Sequence, residues 1–275
     1  MINLPFVKMS GLGNDFVLVD AISSGKEPDI KMIIEMADRH MGVGCDQVLW
    51  LSSHPNGVLY RIFNPDGSEV SQCGNGARCV GYYMSNAHNY MAWPLKLHTR
   101  SGKILSVYKD EPNVYKVNMG SPTAISDSIL DLHKIDFFGK DLYFQALDIG
   151  NPHAIFKLDE DIADFDLEQL SSKLSGHILF PEGVNISIIN IGANKVVKAR
   201  VFERGAGETL ACGSAASAIL AALGLLELDV VMPGGKISTS SGGGDVFQAG
   251  DVTWVFVGNW QLNDSNSNIF YFDKV

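Results

Sequence analysis

Apolar and polar residues along this chain fall mostly into short runs bounded by Gly, Asn and Pro, the pattern of strands joined by tight turns. Residues 6–9 and 16–20 predict strands, with Ser10-Gly11-Leu12-Gly13-Asn14-Asp15 as the turn between them. Residues 29–40 suit a helix, with Asp29 as N-cap and Ile30, Ile33, Ile34 and Ala37 on one face. Residues 48–51 and 58–63 read as a hairpin turned at Pro55-Asn56-Gly57. After Cys73 the spacing becomes helical to about Ala87, and strands follow at 95–99, 104–108 and 114–119. The plan then reruns. Strands at 142–148 and 154–157 flank Gly150-Asn151-Pro152-His153, a helix covers about 167–174, and strands follow at 186–190 and 196–203. A second apolar helix begins at Cys212, and a Gly-rich strand run continues to Val257.

The rerun is visible residue by residue. At one constant offset Arg61, Phe63, Glu69, Cys73, Gly74 and Ala77 fall on Arg200, Phe202, Glu208, Cys212, Gly213 and Ala216, without a gap. Gly44 falls on Gly183, and Gly13-Asn14 and Gly150-Asn151 are nearly one repeat apart. The expected fold is therefore α+β. It has two pseudo-symmetric lobes, each a curved, mainly antiparallel, barrel-like sheet around a central helix, with the site between them. The expected division is 1–118 plus 263–275 for the lobe with Cys73, and 119–262 for the lobe with Cys212.

Composition narrows the function classes. A chain of 275 residues fits two lobes of ordinary size, and 46% apolar with 19% charged residues is a globular balance. The formal charge of −10 lacks the basic footprint that a nucleic acid requires. The longest uncharged run, 209–226, is short for a membrane span and interrupted by Gly213, Ser214 and Gly224, so a buried helix is expected and no membrane partner. The first residues lack the basic head and apolar core of a signal peptide, and four cysteines then suggest reduced thiols in a cytoplasm. Gly11-x-Gly13 is no dinucleotide fingerprint, because Phe16 holds the third glycine position. The Cys and His spacings match no metal site, and Gly242-Gly243-Gly244 reads as a turn.

Each of Cys73 and Cys212 is followed by Gly and then by residues that can open a helix. That puts a sulfur at a helix N-terminus, where unpaired N–H groups and the helix dipole favour an anion. The same N–H groups can hold a carboxylate. A facing thiol pair can invert a tetrahedral carbon: one sulfur, as thiolate, takes a proton from one face, and the other, as thiol, returns one to the opposite face. Cys45 and Cys79 have no counterpart in the repeat and read as packing residues. Glu69 and Glu208 read as caps or loop braces, and Arg61 and Arg200 as braces within each lobe. His153 reads equally as a pocket residue or as a hydrogen-bonded loop residue.

The chain resembles the diaminopimelate epimerase family. The resemblance is carried by Gly11-Leu12-Gly13-Asn14-Asp15-Phe16, Gly42-Val43-Gly44-Cys45-Asp46-Gln47, Asn64-Pro65-Asp66-Gly67-Ser68-Glu69 and Cys73-Gly74-Asn75-Gly76-Ala77-Arg78-Cys79. It continues in Gly150-Asn151-Pro152-His153, Gly183-Val184-Asn185 and the run from Glu203 to Gly213. The resemblance implies that Cys73 and Cys212 are the acid/base pair, acting without pyridoxal phosphate or any other cofactor. It implies that the backbone at Gly74-Asn75 and Gly213-Ser214 binds the carboxylate of the reacting centre. Asn14, Gln47, Asn64, Asn151, Asn185, Glu203 and Arg204 would complete the pocket, with His153 as a possible auxiliary. A substrate with two carboxylates and two ammonium groups needs donors and acceptors at both ends, which Asn supplies, while Arg can grip a carboxylate in bidentate fashion. Lobe closure around substrate and a homodimer are implied as well. Two departures are local: Ser214-Ala215 replaces the family's Thr-Gly, and Val257-Gly258-Asn259-Trp260 replaces a late Met-Thr-Gly-like signature.

Three other readings compete. Proline racemases and hydroxyproline epimerases share paired thiols but lack polar residues for a remote amino-acid end. A thiol–disulfide protein usually keeps its cysteines close in sequence, and these are far apart. A binding protein has no need of a thiol on either side of its ligand.

Overall fold

The computed structural model describes residues 2–111, 113–192, 196–262 and 270–273. The chain divides into two compact units, Met1–Val117 with Asp251–Val275, and Asn118–Gly250.

The first unit opens with β1 (Ile2–Gly11) and β2 (Asn14–Asp20), an antiparallel pair turned at Leu12 and Gly13, both at positive φ. Helix α1 (Ile30–Ala37) crosses over to β3 (Gln47–His54), which lies parallel to β2. Hairpin β3–β4 (Gly57–Phe63) follows, then the short β5 (Glu69–Val70) folded back on β4. Helix α2 (Gly74–Ala87) crosses to β6 (Leu95–His98), parallel to β4, and β6 is antiparallel to β7 (Ile104–Glu111). The strand β8 (Val114–Gly120) passes into the second unit.

The second unit repeats this grammar. Strands β9 (Thr123–Ala124), β10 (Leu132–Phe137), β11 (Lys140–Asp148) and β12 (Pro152–Lys157) pair antiparallel through β11. Helix α3 (Leu167–Leu174) crosses to β13 (Asn185–Ile191), parallel to β12. Strands β14 (Val197–Glu203) and β15 (Gly207–Thr209) fold back on one another, and α4 (Gly213–Ala222) crosses to β16 (Glu227–Met232), parallel to β14. The meander β16–β17 (Gly235–Gly242)–β18 (Asp245–Gly250) completes the unit. The chain then returns to the first unit as β19 (Thr253–Leu262), antiparallel to β1, with β20 (Phe270–Asp273) beside β19.

Four findings refine the sequence reading. The strand pairing within each unit is mixed, with two parallel pairs made by the helical crossovers, and the described pairings do not close into a ring. The return to the first unit comes at Asp251 rather than at 263, because β19 pairs along β1. Of the expected 263–275 segment, only 270–273 lies among the described residues. Finally, α1 stops at Ala37 and not at His40: Asp38 is extended, and its carboxylate accepts from the backbone N–H groups of His40 and Met41. The buried face of α1 is Met32, Ile33, Met36 and Ala37, while Ile30 and Ile34 lean on the turn at Gly67.

Apolar burial holds each unit together. In the first, α1 packs with Val17, Val19, Val48, Trp50, Phe63 and Trp260. In the second, Phe144, Phe156, Phe180, Leu170 and Ile188 form the corresponding cluster. Helices α2 and α4 are buried almost all round, because Gly and Ala let sheet side chains close on the helix backbone. Gly76 shows the tolerance: a Cβ there would lie 2.4 Å from the Tyr60 hydroxyl.

Candidate active site

Both cysteines of the repeat occupy helix N-caps. Cys73, extended at φ −148°, caps α2, and its Sγ accepts from Gly76 N–H at 3.3 Å. Cys212, extended at φ −129°, caps α4. The preceding hairpins explain why the chain delivers both sulfurs alike. In each unit a Phe–Glu pair sets the register, Phe63 with Glu69 and Phe202 with Glu208. In each, an Arg two residues before the Phe grips that Glu through two bonds. Arg61 donates to Glu69 at 2.9 and 2.7 Å, and Arg200 to Glu208 at 2.6 and 2.8 Å. The fork geometry locks the turn leading into each cysteine. The bracing roles expected of these four residues are what the geometry gives.

Within the first unit, the structure brings Asn14, Gln47, Asn64 and Cys73 together. The Cys73 thiol lies 3.9 Å from Asn14 Oδ1, and Gln47 donates to Asn64 Oδ1 at 3.1 Å. Asn14 in turn donates to Asp46 at 3.0 Å. The loops carrying Asn14 and Gln47 are clamped by paired carboxylates: Asp15 N–H donates to Asp46, and Asp46 N–H to Asp15. Arg39 bridges both carboxylates at 2.7 Å, and Lys8 bonds Asp15 and the Gly44 carbonyl. Burial alone would raise the Asp15 pKa, but Arg39 and Lys8 together hold it well below the usual carboxylate range. Asn75 is buried and accepts from Arg78 at 2.9 Å.

Within the second unit, Asn151, His153, Asn185, Glu203, Arg204, Cys212 and Ser214 form a second set. His153 sits opposite Asn185 across the parallel β12–β13 pair. Asn185 accepts from Arg204 N–H at 2.9 Å and donates to the Pro152 carbonyl at 3.2 Å. His153 is fully buried, with Nε2 3.1 Å from Asn151 Oδ1, which favours the hydrogen-bonded reading. Burial lowers its pKa to about 3, so the ring is neutral. The Cys212 thiol donates to Glu203 at 3.2 Å and lies 3.3 Å from Ser214 Oγ, while Thr209 donates to the other Glu203 oxygen at 2.6 Å. Burial, and then the Glu203 carboxylate, push the Cys212 thiol well above its ordinary range, against a smaller opposite pull from Ser214 and Ala215 N–H. This thiol holds its proton at neutral pH. Gly213 leaves room for Gln248, whose Oε1 would be 2.2 Å from a Cβ there. The Arg204 guanidinium donates to the Glu182 carbonyl at 3.1 Å.

The other two cysteines are chemically quiet: burial pushes Cys45 and Cys79 up to about 12. Sequence reasoning missed the contributions of Asp15, Asp46, Tyr60 and Thr209. Both aspartates stand inside motifs already singled out, whereas Tyr60, whose hydroxyl donates to the Cys73 carbonyl at 3.2 Å, gave no signal beyond its strand. Among the described residues no group of three or more His, Cys, Asp or Glu could hold a metal ion. No described helix is long and apolar enough to cross a membrane.

Comparison with known proteins places this arrangement. The solved structure of a probable proline racemase from Agrobacterium radiobacter has a TM-score of 0.70 at 14% identity, covering 95% of this chain and 93% of that one. A hydroxyproline epimerase from Agrobacterium vitis gives 0.69 at 13% identity, covering 94% of this chain and 90% of that one. These likenesses establish the fold. In sequence, diaminopimelate epimerase from Xylella fastidiosa is 38% identical over 288 residues, spanning 94% of this chain and 96% of that protein. The enzyme of the same name from Acinetobacter baylyi is 35% identical, over 98% and 99% of the two chains. The family model of diaminopimelate epimerase matches residues 6–125 and 145–255. With both cysteines and every pocket motif inside those spans, the chain belongs to the diaminopimelate epimerase family.

Proposed function

We propose that this protein interconverts LL- and meso-diaminopimelate by proton transfer at one α-carbon, without pyridoxal phosphate, in lysine and peptidoglycan-precursor synthesis. The observation that carries the reading is the matched placement of Cys73 and Cys212, each the N-cap of the buried helix of its own unit. In this mechanism one sulfur, as thiolate, takes the α-proton, and the electron pair left on carbon spreads into the adjacent carboxylate. The N–H groups at Gly74-Asn75 and Gly213-Ser214 stabilise that developing charge. The other sulfur, as thiol, gives its proton to the opposite face, and the centre is inverted.

The remaining residues divide by unit. Asn14, Gln47 and Asn64 supply amide donors and acceptors from the Cys73 side. Asn151, Asn185, Glu203 and Arg204 do so from the Cys212 side, with Arg204 suited to the remote carboxylate and Glu203 to an ammonium. Ser214 keeps the hydroxyl of the family's Thr, so carboxylate binding is retained. His153, neutral and bonded to Asn151, is auxiliary: it orients the amide. A homodimer working in the cytoplasm completes the proposal.

The test is solvent exchange. In deuterated water the wild type is expected to convert LL-diaminopimelate to the meso form with deuterium at the inverted α-carbon, and to leave proline unlabelled. Cys73→Ala and Cys212→Ala should each lose inversion by about a hundredfold or more, since general acid–base catalysis alone contributes roughly 10²–10⁴. Inversion at near wild-type rate in either variant would remove the two-thiol assignment.

A further inference from the structure

The repeat that aligns the two cysteines breaks at three nearby positions. Asn64, Asn75 and Arg78 in the first unit fall on Glu203, Ser214 and Ser217 in the second. Each break changes the charge or the bonding around a sulfur. Arg78 lies five residues beyond Cys73 and is fully buried, its Nη2 donating to Asn75 Oδ1 at 2.9 Å. Its counterpart Ser217 is also fully buried but uncharged, and its hydroxyl donates back to the Gly213 carbonyl at 3.1 Å. Conversely, the Cys212 thiol donates to the Glu203 carboxylate, where the first unit has the neutral amide of Asn64.

We propose that Arg78 is the positioning residue that assigns the resting negative charge to Cys73 rather than to Cys212. A guanidinium keeps its charge under all ordinary conditions and is weakly hydrated, which suits it to burial. Inside the protein its field is little screened by salt or water, so it favours an anion at the nearby helix start. The bond to Asn75 fixes both the guanidinium and the first turn of α2, adding a formal charge to the N–H groups already there. Burial by itself disfavours a charged Arg78; attraction to Cys79 and Cys73, when ionised, and to Asp251 opposes that.

The charged and titratable groups packed about α2 and its start come from several elements. Cys79 shares the helix, Tyr60 on β4 donates to the Cys73 carbonyl, and Asp251 stands before β19. From β2, Asn14 presents its amide oxygen with Asp46 behind it. Lys8 on β1 is tied to Asp15, and Lys109 on β7 is bonded to Ser85 at the far end of α2. Of these cations, Arg78 is the one anchored to the first turn of α2. In the resting form Cys73 is thus the sulfur that accepts a substrate proton and Cys212 the one that donates its own, and the reverse conversion uses the opposite protonation form. Turnover leaves a Cys73 thiol and a Cys212 thiolate, reset by loss of one proton to water and gain of another.

The mechanistic consequence rests on the two-thiol reading, but the test does not, because it uses no substrate. Iodoacetamide alkylation of each cysteine is followed against pH by peptide mass spectrometry in wild type, Arg78→Met and Arg78→Lys. The expected wild-type midpoint for Cys73 lies below the free-thiol value of about 8.5, and that for Cys212 above it. Arg78→Met should raise the Cys73 midpoint by about one pH unit, a tenfold loss of thiolate at neutral pH. Its rate at high pH and the Cys212 profile should stay unchanged, and Arg78→Lys should keep the low midpoint. A Cys73 midpoint unmoved in Arg78→Met, or a loss of high-pH rate without a midpoint shift, overturns the proposal. If Arg78→Met does not fold, the proposal falls when Arg78→Lys loses the low midpoint, or when the two wild-type midpoints coincide.

Discussion

At the residue scale, the two halves differ most where charge meets sulfur. Glu203 accepts from the Cys212 thiol and so favours its protonated form. Replacing it by Gln keeps the shape and removes the charge. Glu203→Gln should lower the Cys212 alkylation midpoint by about one pH unit, so that roughly tenfold more thiolate is present at neutral pH. A midpoint at the wild-type value would mean that burial alone protects this thiol. The Arg–Glu braces should differ too. Arg61 is more deeply buried than Arg200, and Arg200 also donates to the carbonyls of Ile162, Ala163 and Phe165. Glu69→Gln is therefore expected to cost about 1.5–3 kcal/mol in chemical denaturation, and Glu208→Gln below about 1 kcal/mol. These four residues were legible as braces, because the repeat aligned them. The Lys8–Asp15–Arg39–Asp46 cluster was not, since ion pairs between segments far apart in sequence leave no periodic trace.

At the element scale, α2 and α4 work because small residues let them sink into their sheets. Gly76→Ala tests this directly. The Tyr60 hydroxyl occupies the space a methyl would need, and Tyr60 is itself buried and bonded to the Cys73 carbonyl. The expected cost is about 1–3 kcal/mol of overpacking, accompanied by lower epimerase activity as the start of α2 shifts. A variant with wild-type stability and rate would show that the helix has slack. Both helices were legible from their apolar spacing after Cys-Gly, and α3 was placed at its observed bounds. The parallel pairs were not foreseen, because alternation identifies a strand and says nothing of its partner. Strand β10 was missed for a different reason. Ile135 and Phe137 pack against the core, but the apolar Leu132 lies on the other face and is 67% exposed, which breaks the alternation.

At the scale of the whole molecule, the buried neutral His153 links stability to acidity. Its pKa is lowered to about 3 in the fold and is near about 6.5 when unfolded. Between those values the unfolded chain binds the extra proton. Stability is therefore fully present above about pH 6.5 and falls as pH drops toward 3, by up to about 1.4 kcal/mol per pH unit from this group. Urea titrations across that window should show a shallower acid slope for His153→Gln than for wild type; equal slopes would place the proton elsewhere. The two-part division was legible from the repeat, but its closing boundary was not. The strand-like run through Val257 read as a continuation of the second half, and only pairing with β1 reveals otherwise.

That pairing has a consequence for biogenesis. The second unit is inserted between segments of the first, so its residues leave the ribosome as one block and can fold as soon as they emerge. The first unit must wait for β19, made after the whole of the second unit, before β1 gains the neighbour that covers its outer edge. Until then that edge of β1 stays open, and the half bearing Cys73 is the later of the two to mature.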